Sequence, residues 1–133
     1  MKKILIRAGM SPVMETPVQE IITYNRIGDN VGNLVYAYSI FRTLTTDEDV
    51  EIIPTNYIVS RLDVDEINET YDCFVIPLAD AIRNSFVPEM TKLIKLINKL
   101  TIPCYVIGMG IRAPYHYETK GIPFVHDLSL IHI

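Results

Sequence analysis

The sequence predicts an α/β domain with a Rossmann-like parallel sheet, because short apolar segments alternate with amphipathic segments of helical spacing. The four apolar segments predicted to be strands are residues 2–7, 50–53, 73–76 and 104–107. The third is apolar on both faces, which is typical of a central strand in a parallel sheet. Right-handed crossovers between such strands place helices on both faces of the sheet.

Three segments between the strands predict helices. The clearest follows Asp29 or Asn30, either of which can cap it, and its apolar stripe continues at helical spacing to about Leu44. Residues 63–69 indicate a short polar helix, and residues 87–100 an amphipathic one with lysines on its exposed face. The resulting order, β-α-β-α-β-α-β, supports the parallel arrangement.

The composition excludes several functional classes. The chain has 133 residues, which suits one domain, and a net charge of −4 with both signs interspersed. This charge pattern argues against a nucleic-acid surface or an anionic-membrane surface. No segment has the length of a membrane span or the form of a signal peptide, so we expect a cytoplasmic protein. Cys73 and Cys104 lie in apolar runs and are expected to be buried, reduced thiols.

The last six residues, 128–133, include four aliphatic side chains. Two interpretations remain open: a native final strand in the sheet, or a truncated or foreign terminus. We therefore assign residues 1–127 to an N-terminal α/β domain and treat residues 128–133 as a tail of doubtful origin.

Ligands of parallel α/β sheets bind beyond the carboxyl ends of the strands, and three loops are predicted to lie there. The first, residues 28–33, opens a helix whose free N–H groups could hold a phosphate or a sugar hydroxyl. Asn30, Gly32 and Asn33 are its candidate ligand-binding residues. The alternative is an ordinary capped helix preceded by a tight turn.

The third loop, residues 108–114, follows the fourth strand. Gly108 and Gly110 suggest that a bulky group passes close to the backbone, and Arg112 would recognise a carboxylate or phosphate at the mouth of the site. The alternative is a turn with a solvated arginine.

The second loop, residues 77–83, contains Asp80 and Arg83. These two residues are three positions apart and are expected to pair with each other.

Motifs for common cofactors are missing. The first strand is not followed by G-x-G-x-x-G, and no G-x-x-x-x-G-K-[ST] occurs, so neither nicotinamide nor P-loop nucleotide binding is expected. His116, His126 and His132 lack the spacing of metal ligands. No cofactor or metal is therefore predicted, and no catalytic residue is identified.

The loop motifs carry a resemblance to a known family. Residues 30–33, Asn-Val-Gly-Asn, resemble the N-terminal N-x-G-D motif of polysaccharide pyruvyl transferases, and residues 107–111, Ile-Gly-Met-Gly-Ile, are similar to their G-Q-G-I segment. Residues 71–72, Tyr-Asp, open a strand that looks like the family's D-x-hydrophobic strand. The resemblance spans residues 1 to about 113. Asn33 stands where Asp is common, Met109 stands in place of Gln, and residues 77–79 replace a glycine-rich turn.

The resemblance implies the N-terminal domain of a two-domain, GT-B-like enzyme that transfers pyruvyl from phosphoenolpyruvate to a sugar of a cell-surface glycan. Family members carry much of their donor-binding set in a C-terminal domain, which this chain would lack. Residues 1–133 alone are therefore expected to be inactive. Two alternatives stay open: a GT-B glycosyltransferase that uses a nucleotide-sugar, and a non-catalytic ligand-binding α/β domain.

Overall fold

The computed structural model describes residues 1–46 and 49–111, and its centre is a parallel sheet of four strands in the order β2-β1-β3-β4. The strands are β1 (Lys2–Ile6), β2 (Val50–Pro54), β3 (Cys73–Ile82) and β4 (Cys104–Ile111). The predicted α/β class with a parallel sheet is confirmed. The chain passes from β1 to β2 on one side and then crosses to β3 on the other side of β1.

The described residues form four α-helices: α1 (Val18–Thr23), α2 (Gly32–Leu44), α3 (Val64–Thr70) and α4 (Val87–Ile97). The last three contribute side chains to the apolar clusters on the sheet, and α1 has no buried residue. Two short 3-10 turns, Val59–Arg61 and Asn84–Phe86, follow β2 and β3. The three predicted helices correspond to α2, α3 and α4. The predicted C-terminal limit of the last helix, residue 100, lies three residues beyond the end of α4 at Ile97.

Alternation along the strands builds a separate core on each face of the sheet. Leu5 and Phe74 face α4, where they pack in one apolar cluster with its side chains Met90, Leu93, Ile94 and Ile97. Ile6 and Val75, one position further along each strand, face α2 and pack with its side chains Ala37, Ile40 and Phe41. Both faces of β1 and β3 are covered, which fits the uninterrupted apolar runs at residues 4–6 of β1 and 73–79 of β3.

The two strands on the β3–β4 side of the sheet are longer than the sequence predicts. Residues 77–82, expected to be a loop, continue β3, and residues 108–111 continue β4. Their pairing runs on through Ala79 opposite Met109, with an irregularity between Ala79 and Ile82. Pro77 itself lies opposite Ile107 in this ladder, beyond Val75, the last residue of β3 that pairs with β1. Leu78, Ala81 and Ile82 are buried.

Asp63, the first residue of the predicted helix 63–69, lies just before α3 in the structure and caps it. Its Oδ1 accepts hydrogen bonds from the backbone N–H groups of Asp65 (2.9 Å) and Glu66 (3.2 Å). We expect Asp63→Ala to lower the free energy of unfolding by about 1 kcal/mol, because two helix N–H groups lose their acceptor. Urea denaturation tests this, with Glu69→Ala at the other end of α3 as a control. Equal effects of the two substitutions would contradict the capping role.

Within the part of the chain that the structure describes, no helix is long and apolar enough to cross a membrane. The predicted domain limit at residue 127 and the tail at residues 128–133 lie outside the described residues.

Candidate functional site

A cavity of about 190 Å³ opens at the carboxyl ends of β1 and β3. These neighbouring strands are where the chain order reverses, because β1 connects to β2 on one side while β3 connects to β4 on the other. Loops leaving the two strands therefore diverge and leave a crevice, which is where open α/β sheets bind their ligands. Residues after β1, the beginning of α2, the segment after β2 and the end of β3 line it.

Arg7, the first residue after β1, lies in the wall of this cavity and is only 8 % exposed. Its guanidinium carbon lies 5.4 Å from the centre of the Tyr57 ring and 5.8 Å from that of Phe86. Nη1 donates a long hydrogen bond of 3.4 Å to the carbonyl oxygen of Pro77, and the buried Nε has no hydrogen-bond partner among residues 1–46 and 49–111. Among the described residues, no carboxylate lies within ion-pair distance of Arg7.

Burial lowers the pKa of the Arg7 guanidinium, and the nearby Tyr57 opposes that shift. An arginine nevertheless remains charged throughout the working pH range. A folded-state pKa below the unfolded one means that folding disfavours the charged form. The cost is present at every pH below the folded pKa and would be relieved only as the pH rises through that value. The aromatic rings offset part of this cost by cation–π attraction.

Arg83 and Asp80 form an ion pair at the same cavity, with 2.7 Å between Nη1 of Arg83 and Oδ2 of Asp80. The sequence-based prediction that the two residues pair is confirmed. The guanidinium carbon of Arg83 lies 5.5 Å from the centre of the Phe86 ring, so two arginines contact one aromatic side chain. With Asp80 paired to Arg83, Arg7 supplies the excess positive charge among the described residues that line the cavity.

Two tyrosines add hydroxyl groups to the cavity lining. Burial raises the pKa of Tyr57, against smaller opposing effects from the Gly9 backbone and Arg7, and burial also raises the pKa of Tyr36. Both hydroxyls therefore stay protonated at neutral pH and can donate hydrogen bonds. The Tyr36 hydroxyl donates to the carbonyl oxygen of Ile107 (3.1 Å), which links the first turns of α2 to the end of β4.

The predicted residues at the start of α2 serve the chain itself. Asn30, Gly32 and Asn33 were expected to bind a ligand, and of these Asn33 lines the cavity. Its side-chain amide donates to the carbonyl oxygens of Ile27 (3.0 Å) and Gly28 (3.4 Å) and so holds the preceding turn.

The expectation of free N–H groups at the start of α2 is wrong. Oδ1 of Asn30 accepts from Gly32 N (2.8 Å), and the next two amides donate to the carbonyl oxygens of Asn30 and Val31. The helix begins at Gly32 with Val31 in the cap position. Neither Asp29 nor Asn30 occupies the predicted cap, since Asn30 closes the turn just before it.

Gly108 and Gly110 lie within β4 and do not line the cavity. Gly108 has a φ of +57°, and a Cβ there would overlap the hydroxyl of Tyr36. The bulky group that the sequence places against this backbone is thus the Tyr36 side chain rather than a ligand. At Gly110 a Cβ would come 3.3 Å from the carbonyl oxygen of Ala79 on the neighbouring strand. Arg112 lies outside the described residues.

Arg7, Tyr57 and Phe86 are site residues that were not predicted from the sequence. For Arg7 a signal existed: a charged residue ends an apolar strand at the carboxyl edge, where ligands of this fold bind. Tyr57 and Phe86 carried none, because each reaches Arg7 through a loop whose path depends on the tertiary fold.

Both cysteines are free and partly buried. Burial raises the pKa of both the Cys73 and the Cys104 thiol. Because the thiolate is the reactive form, the two are poorly suited to nucleophilic or redox chemistry.

We expect Arg7→Met to raise the free energy of unfolding by about 1–2 kcal/mol, because methionine keeps an unbranched apolar stem without the buried charge. Chemical denaturation in phosphate-free buffer measures this. Arg42→Met removes the same charge from an exposed position on α2 and should change stability by less than about 0.5 kcal/mol. A loss of stability on Arg7→Met would show that the contacts of Arg7 outweigh its burial cost.

Comparison with protein-family models, with curated proteins and with solved structures finds no match to this chain.

Proposed function

We propose that this chain is the N-terminal α/β portion of a polysaccharide pyruvyl transferase-like enzyme acting in the cytoplasm. The observation that carries the proposal is the cavity at the ends of β1 and β3, beside which the two motif-bearing segments meet. Asn33 of the first motif lines the cavity. Tyr36, one turn later, lines it too and donates to Ile107, the first residue of the second motif.

The proposed reaction joins phosphoenolpyruvate to two hydroxyl groups of a sugar. The methylene carbon of the donor gains a proton and becomes a methyl group, while two C–O bonds form at the neighbouring carbon and its bond to the phosphate oxygen breaks. Of the two hydroxyl protons, one balances the methyl group and the other leaves with phosphate. The donor carries a carboxylate and a phosphate, so its site requires cationic groups. The excess positive charge of this cavity suits one wall of such a site.

The part of the site that this domain supplies is small and suits the anionic end of a donor. Its volume of about 190 Å³ lies below the range of roughly 300–1,000 Å³ that is usual for drug-sized ligands. A nucleotide-sugar would extend well beyond it. In the proposed GT-B-like arrangement a second domain would supply the opposite wall, the remaining cationic groups and the acid and base.

The test is an assay of phosphate release from phosphoenolpyruvate by the protein of the intact gene, with a panel of sugar acceptors and mass spectrometry for the ketal. We expect acceptor-dependent release from the intact protein and none from residues 1–133 alone. A folded intact protein that releases no phosphate with any acceptor would contradict the proposal. Transfer from a nucleotide-sugar in parallel reactions would favour a GT-B glycosyltransferase, and binding without turnover a non-catalytic domain.

A further inference from the structure

We propose that Arg7 binds the anionic group, phosphate or carboxylate, of a small ligand in the cavity at the ends of β1 and β3. This deepens the proposed function and rests on it for the identity of the organic ligand. Anion binding itself is measurable without turnover, so the two proposals can fail separately.

The first support is the burial of a charge that lacks a counter-charge. Arg7 is 8 % exposed, and no carboxylate among the described residues pairs with it. Buried charges in proteins are normally paired, since removing an ion from water is costly. An oxyanion in the cavity would supply the missing partner.

The second support is the set of donors that Arg7 leaves unused. A guanidinium carries five N–H donors in a planar fork that matches the oxygens of carboxylate and phosphate. With the described residues, the Arg7 side chain makes one hydrogen bond, the long contact from Nη1 to the Pro77 carbonyl oxygen. Nε is buried, and no described residue accepts a hydrogen bond from it. The rings of Tyr57 and Phe86 hold the guanidinium in place without using its N–H groups.

The third support is the charge around the cavity. Of the residues that the structure describes, three charged side chains line it, Arg7, Asp80 and Arg83, and the last two form an ion pair. The Asp80 carboxylate is the group that would repel an anion, and its pairing with Arg83 reduces that repulsion. The described part of the lining therefore carries one positive charge in excess.

The size of the cavity limits the ligand. A volume of about 190 Å³ corresponds to roughly six water molecules at liquid density. It accommodates inorganic phosphate or a three-carbon acid, and a larger molecule would place only its anionic end there.

The experiment titrates the intact protein with inorganic phosphate, pyruvate and phosphoenolpyruvate by calorimetry, at ionic strength held constant with sodium chloride. We expect at least one of the three to bind the unmodified protein. The anionic group is a phosphate in inorganic phosphate and a carboxylate in pyruvate. Whichever of the two ligands binds more tightly therefore identifies the group that Arg7 binds. Arg7→Met should weaken that binding by about 10- to 100-fold. Arg7→Lys keeps the charge but loses the planar fork of donors. Its affinity should therefore lie between those of the unmodified protein and Arg7→Met.

Arg42→Met is the matched control, because it removes an exposed arginine far along α2 from the cavity. Its affinity should stay within about twofold of the unmodified protein, since a distant exposed charge is screened by salt. Thermal unfolding with and without the anions checks that each variant is folded. The proposal is overturned if the folded protein binds none of the three anions, or if Arg7→Met binds them as tightly. Either result leaves the phosphate-release assay to decide the enzymatic function.

Discussion

Replacing Gly9 with alanine is expected to lower the free energy of unfolding by about 3 kcal/mol, at the upper end of the usual cost of overpacking. A Cβ at this position would overlap the carbonyl oxygen of Arg26 and would lie 2.8 Å from Cε2 of Tyr57. The first of these contacts is to backbone, which cannot rotate away as a side chain can. The segment before α2 must therefore shift, or the turn after β1 must.

The same substitution should also weaken anion binding. Gly9 follows Arg7 by two residues, and its backbone hydrogen-bonds Tyr57, whose ring contacts the Arg7 guanidinium. Displacing Tyr57 would leave Arg7 without one of the two rings that position it. We expect urea denaturation and phosphate titration of Gly9→Ala to change together.

Gly32→Ala is the control for Gly9→Ala, because the nearest atom to its Cβ is the exposed side-chain oxygen of Asn30 at 3.0 Å. That side chain can move, and alanine is the better helix former. The change in stability should stay within about 1 kcal/mol. If Gly9→Ala has an effect no larger than Gly32→Ala, the turn after β1 is less tightly enclosed than the structure indicates.

The sequence predicted the parallel sheet because the signals that define it are local. Alternation between short apolar segments and helical periodicity needs no knowledge of partners. The ends of β3 and β4 were predicted too early because Pro77 and Gly108 are residues that usually end strands. In the structure Ala79 pairs with Met109, and this long-range pairing decides where both strands end.

The sequence was enough to predict which edge of the sheet carries the candidate site, but not which side chains give the site its chemistry. Asn30 and Gly108 are of residue types that are common in ligand-binding turns. In the structure, however, the Gly32 amide donates to the Asn30 side chain, and the Tyr36 side chain lies against Gly108. No pattern in a sequence indicates that an internal group will satisfy such a position first. Arg7 stands out because it is buried and no carboxylate of the described residues pairs with it. Both properties arise from segments that are distant in the chain.

The end of β4 and the cavity are connected by the contact between Gly108 and Tyr36, and this contact gives the second large expected effect. Gly108→Ala should lower the free energy of unfolding by about 2–3 kcal/mol. A φ of +57° is unfavourable for alanine, and the new Cβ would displace the Tyr36 hydroxyl, which donates to Ile107. Because Tyr36 lines the cavity, its displacement should also alter the affinity for phosphate.

A double-mutant cycle with Tyr36→Leu separates the two causes, because leucine ends before the far edge of the ring that the Cβ would meet. In that background Gly108→Ala should cost only the backbone term, about 1–2 kcal/mol. Gly110→Ala, whose Cβ would lie 3.3 Å from the Ala79 carbonyl oxygen, tests whether any side chain on this stretch of β4 is harmful. Equal costs of Gly108→Ala with and without the tyrosine would mean that the conformation of Gly108, and not its contact with Tyr36, requires glycine there. The end of β4 would then not act on the cavity through Tyr36.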